Sequence, residues 1–141
     1  MLNQGKYLKR MPPTSIVNLQ SGGGDYLSVA NYGAKTTLSG ALTANTYKEI
    51  LSVTGRGVFY SLYAISMDTT SRKIGLKIVI DEVTVFDAVS GTLTSANQGI
   101  AAGGYSNIVI PIYFNKSLVA SVKSSLSETD KVGLGHIYHL F

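Results

Sequence analysis

The sequence predicts an all-β protein, an antiparallel β-sandwich or jelly roll over residues 26–141 preceded by an extended N-terminal arm over residues 1–25. Three observations predict it. Short segments rich in Val, Ile, Tyr, Phe and Thr recur along the chain, separated by Gly, Asn, Asp and Ser. Two of these segments alternate apolar and other residues with period two, and none requires a helical period. The chain has 141 residues, 45% of them hydrophobic, which is enough to build one core without a disulfide or a metal. A closed barrel is the alternative architecture.

The arm comes first. Lys6, Lys9 and Arg10 are followed by Pro12 and Pro13, one short apolar patch at Ile16-Val17-Asn18-Leu19, and the run Gly22-Gly23-Gly24. Prolines favour an extended path and consecutive glycines make ordering entropically costly, so this segment is expected to gain order only against another surface. A first edge strand with a loose turn is the plainer reading of the same residues. The basic start lacks the apolar run of a secretory leader, because Met11-Pro12-Pro13-Thr14-Ser15 interrupts it, so export by that route is not expected. Apolar runs such as Ile108–Phe114 are far shorter than the roughly 18–20 residues of a membrane span.

Strands are predicted at Tyr47–Val53, Val58–Ser66, Ile74–Ile80, Val83–Phe86, Asn107–Phe114, Ser117–Lys123 and Val132–Phe141. In the third, residues 74, 76, 78 and 80 are all large and apolar, which commits one face to a core. In the last, Val132, Leu134, His136, Tyr138 and Leu140 form one face. The other face, Gly133, Gly135, Ile137 and His139, opens with two glycines and implies close approach of another group there.

The connections carry their own signals. Asp68-Thr69-Thr70-Ser71-Arg72 is expected to close an antiparallel hairpin. Thr54-Gly55-Arg56-Gly57 reads as a turn with Arg56 exposed. Asp81-Glu82 is expected to form a tight hairpin turn, but a primed turn prefers Gly where Glu82 stands, which points to extra loop residues or another geometry. Leu93–Gly104 is the longest stretch lacking strand character, and a connection of that length is either a crossover between sheets or a functional loop.

Tests for chemistry exclude more than they find. The chain has no cysteine, which removes disulfide scaffolds, thiol catalysis and thiolate metal sites. His136 and His139, the only histidines, would point to opposite faces of a strand and so could not chelate one ion. The glycine-rich runs at 22–24 and 55–57 lack the Lys-Ser/Thr pair and helix of a phosphate loop. Asp81, Glu82 and Asp87 cluster around one hairpin, not across a cleft, and are expected to complement Lys73 and Lys77. No Ser lies in a nucleophile elbow. The expectation is a protein with no catalytic residues, no cofactor and no metal.

Charge points towards a protein partner. The net formal charge is +4, yet only 14% of residues are charged and the mean hydropathy is +0.19, which implies a surface partly covered by neighbours. The excess is concentrated at Lys6, Lys9 and Arg10, while the rest of the chain is nearly balanced, unlike a nucleic-acid domain with a basic face. Lys6, Tyr7, Lys9 and Arg10 are therefore the expected partner contacts.

One resemblance joins these readings. The run Leu42–Tyr60, followed by Arg72–Asp87 with its hairpin Ile80-Asp81-Glu82-Val83-Thr84-Val85-Phe86-Asp87, resembles segments of small β-sandwich virion proteins of tailed bacteriophages. The resemblance covers about a third of the chain and is a pattern of strands. It implies a capsid decoration, or cement, protein of the virion surface, made in the host cytoplasm, that binds the major capsid protein lattice and forms a homo-oligomer. A tail or head-fibre module that binds a receptor or glycan is the alternative, with Tyr105 and Asn107 beside the glycine-rich connection as its expected contacts.

Overall fold

In the computed structural model, residues 32–102 and 111–141 are described, with side chains from Thr37 onward in the first of these stretches. The arm and residues 103–110 lie outside the described residues. Among the described residues eleven strands follow in order: β1 (Tyr32–Leu38), β2 (Ala41–Leu42), β3 (Lys48–Thr54), β4 (Gly57–Ser66), β5 (Ile74–Ile80), β6 (Val83–Val89), β7 (Gly99–Ala102), β8 (Ile112–Phe114), β9 (Ser117–Ser124), β10 (Glu128–Thr129) and β11 (Val132–Leu140). Every described pairing is antiparallel.

A five-stranded sheet runs β1-β11-β4-β7, with β8 also on β4, and a four-stranded sheet runs β3-β9-β5-β6. β7 and β8 occupy the same edge of β4 end to end, β7 beside Leu62–Ile65 and β8 beside Gly57–Phe59. The two sheets form a sandwich around one cluster that takes Phe59, Leu62, Ala64, Phe114, Val132 and Leu134 from the first, and Ile74, Leu76, Ile78, Leu118, Ala120 and Val122 from the second. Fully burying one such Val, Leu, Ile or Phe side chain stabilises the fold by roughly 1.5–3 kcal/mol.

Alternation breaks where one strand carries an extra residue. Ile50 in β3, Tyr60 in β4 and Val85 in β6 each fall between register partners. In β3 and β6 the bulge lets two consecutive residues, Ile50-Leu51 and Val85-Phe86, pack on the core. Both strands are edges of the four-stranded sheet, and a bulge spoils an edge as a template for further pairing.

Two connections differ from the sequence expectation, and a third keeps it in part. Residues 68–72 do not close a hairpin: β4 and β5 lie in different sheets, so this segment crosses the sandwich. The reason is Arg72, which is buried and ties the crossover to both layers. Its guanidinium bonds Asp68 at 2.7 Å, Glu128 at 3.0 Å and the Ser66 hydroxyl, while Ser124 donates to Glu128 at 2.6 Å. Second, the stretch expected to lack strand character contains β7. Its small residues are a packing requirement: a Cβ on Gly99 would lie 2.0 Å from the Ala64 carbonyl oxygen, and Ala102 is fully buried.

Third, Asp81-Glu82 forms the expected tight hairpin turn, without the extra loop residues that Glu82 pointed to. Ile80 pairs with Val83, and both turn residues adopt positive φ, 49° and 70°. Asp81 offsets that strain with its carboxylate, which accepts the backbone N–H groups of Asn115 (2.8 Å), Lys116 (2.7 Å) and Ser117 (3.0 Å). It thereby binds the β5–β6 turn to the β8–β9 turn, and these N–H groups, Ser117 first, hold its carboxyl below the usual carboxylate range.

Candidate functional site: an uncharged sheet face

Side chains on a strand alternate between core and outer surface, so register assigns each outward residue of the five-stranded sheet. Leu134 and Tyr138 of β11 face the core, which turns Gly133, Gly135, Ile137 and His139 outward. Opposite them on β4 stand Ile65, Tyr63, Ser61 and Val58. β7 adds Gly99 and Ala101, and β8 adds Tyr113 opposite Val58. Leu38 extends the Gly133 row, and Met67 and Phe141 continue β4 and β11 at the two ends. None of these residues is an acid, a lysine or an arginine; Arg56, opposite Phe141, and Lys131, opposite Met67 and paired with Asp68 at 3.4 Å, bound the face at its two ends.

The glycines expected to admit a close neighbour do so. The Tyr63 ring lies over Gly135, where a Cβ would come within 2.1 Å of it, and the Met67 sulfur covers Gly133. These side chains therefore lie along the sheet. At one end Tyr113 and Phe141 have ring centroids 6.1 Å apart and Phe141 stands 5.7 Å from His139. Val58 (3% exposed) and His139 (2%) are buried here, on the face away from the core. Around them Leu38 (48%), Met67 (44%), Tyr113 (66%) and Phe141 (44%) stay exposed. Four of the six exposed large apolar side chains among the described residues thus lie around this face, the other two, Val83 and Val89, being on β6 of the other sheet.

The outer face of the four-stranded sheet is different. Asp87, Lys77, Ser121 and Glu49 form one row across it, with Lys123 in the next. The Tyr47 hydroxyl donates to Asp87 at 2.6 Å, and the ammonium groups of Lys123 and Lys77 stand 4.5 and 5.9 Å from the centre of its ring. Burial first, then the hydrogen bond and charge of Asp87, push the phenol's pKa up, so it stays a donor. Alternating charges of this kind make a solvated face. Asp87 thus complements Lys77 as expected, whereas Asp81 turns to backbone N–H groups and Glu82 reaches Lys116 only at 3.8 Å on the surface.

His136 and His139 occupy opposite faces, as strand geometry required. Among the described residues no group of three or more His, Cys, Asp or Glu could hold a metal ion, and no helix is long and apolar enough to cross a membrane. Lys6, Tyr7, Lys9 and Arg10 lie outside the described residues, as do Tyr105 and Asn107. Sequence reasoning missed Tyr63, Met67, Tyr113 and Phe141 as one surface. The glycine pair at 133 and 135 was the available signal.

No protein-family model matches the chain, and no curated protein matches it. Among solved structures the chain is similar to dimeric latent PorU from Porphyromonas gingivalis, at 9% identity over 77% of this chain and 13% of that chain, with a TM-score of 0.33. It thus spans about an eighth of that protein. It is also similar to a pentameric capsid protein isolated from metagenomic phage sequences, at 12% identity over 92% of this chain and 75% of that chain, with a TM-score of 0.32. Its structural neighbours therefore include a phage capsid protein.

Proposed function

We propose that the protein is a structural component of a phage virion, a capsid decoration protein that binds the assembled lattice of the major capsid protein and stabilises it. The uncharged outer face of the five-stranded sheet carries this reading, since such a surface suits a subunit sealed by protein neighbours. The strand pattern that resembles small virion proteins supports it, as does a polar inventory spent on holding the fold: Arg72 bridges two layers and Asp81 two turns. The phage capsid protein among the structural neighbours matches at a TM-score too low to add weight. The protein acts without catalysis. A subunit that binds only the assembled lattice stabilises it by mass action, and several contacts per particle add avidity.

Residues 1–25 are the tether in this reading, with Lys6, Tyr7, Lys9 and Arg10 on the partner. Co-sedimentation with empty capsids of the phage that carries the chain tests it. The full chain is expected in the pellet, and the 26–141 fragment, checked for folding by circular dichroism, in the supernatant. Failure of the full chain to pellet overturns the decoration role, and equal pelleting of the fragment overturns the tether. A specific hit on a glycan array would favour the fibre-module alternative.

A further inference from the structure

We propose that the uncharged face is an isologous interface, on which two copies of the chain pack their five-stranded sheets outer face to outer face about a two-fold axis. The argument is independent of any role in a virion and starts from charge. In a two-fold contact a patch meets its own copy, so any net charge in it opposes itself and like charges are buried together. The outward residues of β4, β8 and β11, with Leu38, Met67 and Phe141 around them, carry no such charge; the cations Arg56 and Lys131 stand at the rim beside Phe141 and Met67, Lys131 paired with Asp68 at 3.4 Å. The outer face of the other sheet carries Glu49, Lys77, Asp87 and Lys123, four charges that a sheet-on-sheet contact would have to strip of water.

Shape and size agree. Tyr63 and Met67 lie down over Gly135 and Gly133, leaving a low surface of the kind that packs sheet against sheet at about 10 Å. Four strand positions at about 4.8 Å and nine residues at about 3.3 Å give roughly 550 Å² per copy, or about 1,100 Å² for the pair, just above the roughly 1,000 Å² that a biological interface has to clear. The exposed apolar groups stand at both ends of the patch, Leu38 and Met67 at one, Tyr113 and Phe141 at the other. Ile137 and Ser61 lie midway between them, near where the axis would pass. A docked second copy removes all four exposed groups from water in one step, which a partner reaching only one end does not.

Sedimentation velocity of the full chain over a range of concentrations tests this. The wild type is expected to be a dimer. Ile137→Lys sets two unpaired ammonium groups at the centre of the contact and is expected to raise the dissociation constant roughly a hundredfold or more. Tyr113→Lys changes an exposed ring that the fold does not need, so it tests the face even if Ile137→Lys fails to fold. Val79→Lys, on the outer face of the four-stranded sheet, is expected to leave the dimer intact. A wild type that stays monomeric at its highest soluble concentration overturns the proposal. So does association that survives both face variants, or a mass showing an odd number of copies. Capsid co-sedimentation is read separately, so a failed dimer and a failed virion role are distinguishable.

Discussion

Arg72 is buried with its guanidinium shared among Asp68, Glu128 and Ser66. Burial alone would lower its proton affinity, but the bonds and charges of the two carboxylates outweigh that and raise it. Removing one partner of such a group leaves an uncompensated charge, so Arg72→Ala should cost about 3–5 kcal/mol in urea unfolding. Asp68, nearer the surface, is held at about 2 by the Arg72 hydrogen bond first and the Thr70 N–H second. Its folded pKa is below its ordinary 3.8, so its contribution is complete above that value and lost as pH falls through about 2. Thermal melts of the wild type should therefore fall more steeply across that window than those of Asp68→Asn. At the hairpin, Glu82 has φ 70°, so Glu82→Gly should stabilise by about 1 kcal/mol, whereas Asp81→Ala should lower the melting temperature by orphaning three N–H groups.

At the scale of elements, the glycines of the five-stranded sheet separate two kinds of constraint. A Cβ at Gly99 meets the Ala64 backbone, which cannot move without breaking the β4–β7 ladder, while one at Gly135 meets the Tyr63 ring, which can rotate away. Gly99→Ala should then fall at the upper end of the ~1–3 kcal/mol that overpacking costs, and Gly135→Ala at the lower end, by denaturant titration. The strands themselves were legible where alternation is strict, as in Ile74–Ile80 and Val132–Leu140. β7 was not, because Gly99-Ile100-Ala101-Ala102 is selected for closeness to β4 and carries almost no side-chain bulk to show a period.

For the whole molecule, the core cluster among the described residues takes side chains from Leu42 to Val132 and Leu134, with Tyr138 and Leu140 packed against it. The fragment 26–141 should unfold cooperatively in urea with a midpoint close to that of the full chain; loss of its cooperative transition would show that the first residues complete the fold. Of the buried polar groups among the described residues, Ser66, Arg72 and Ser124 serve the crossover, while Asp81, nearer the surface, joins two turns.

The sequence by itself determined the fold class, the main strands and the opposite placement of the two histidines. Each is a matter of period two within one strand, and that period is written in neighbouring residues. It also flagged a close neighbour over Gly133 and Gly135, which Met67 and Tyr63 supply. Only the tertiary structure decided that residues 68–72 cross between sheets, that a buried Arg72 holds them, and that Tyr63, Met67, Tyr113 and Phe141 share one face without charge. Those facts depend on which strands are neighbours and in what register, a choice made by long-range packing among residues far apart in the chain, which leaves no local periodic trace.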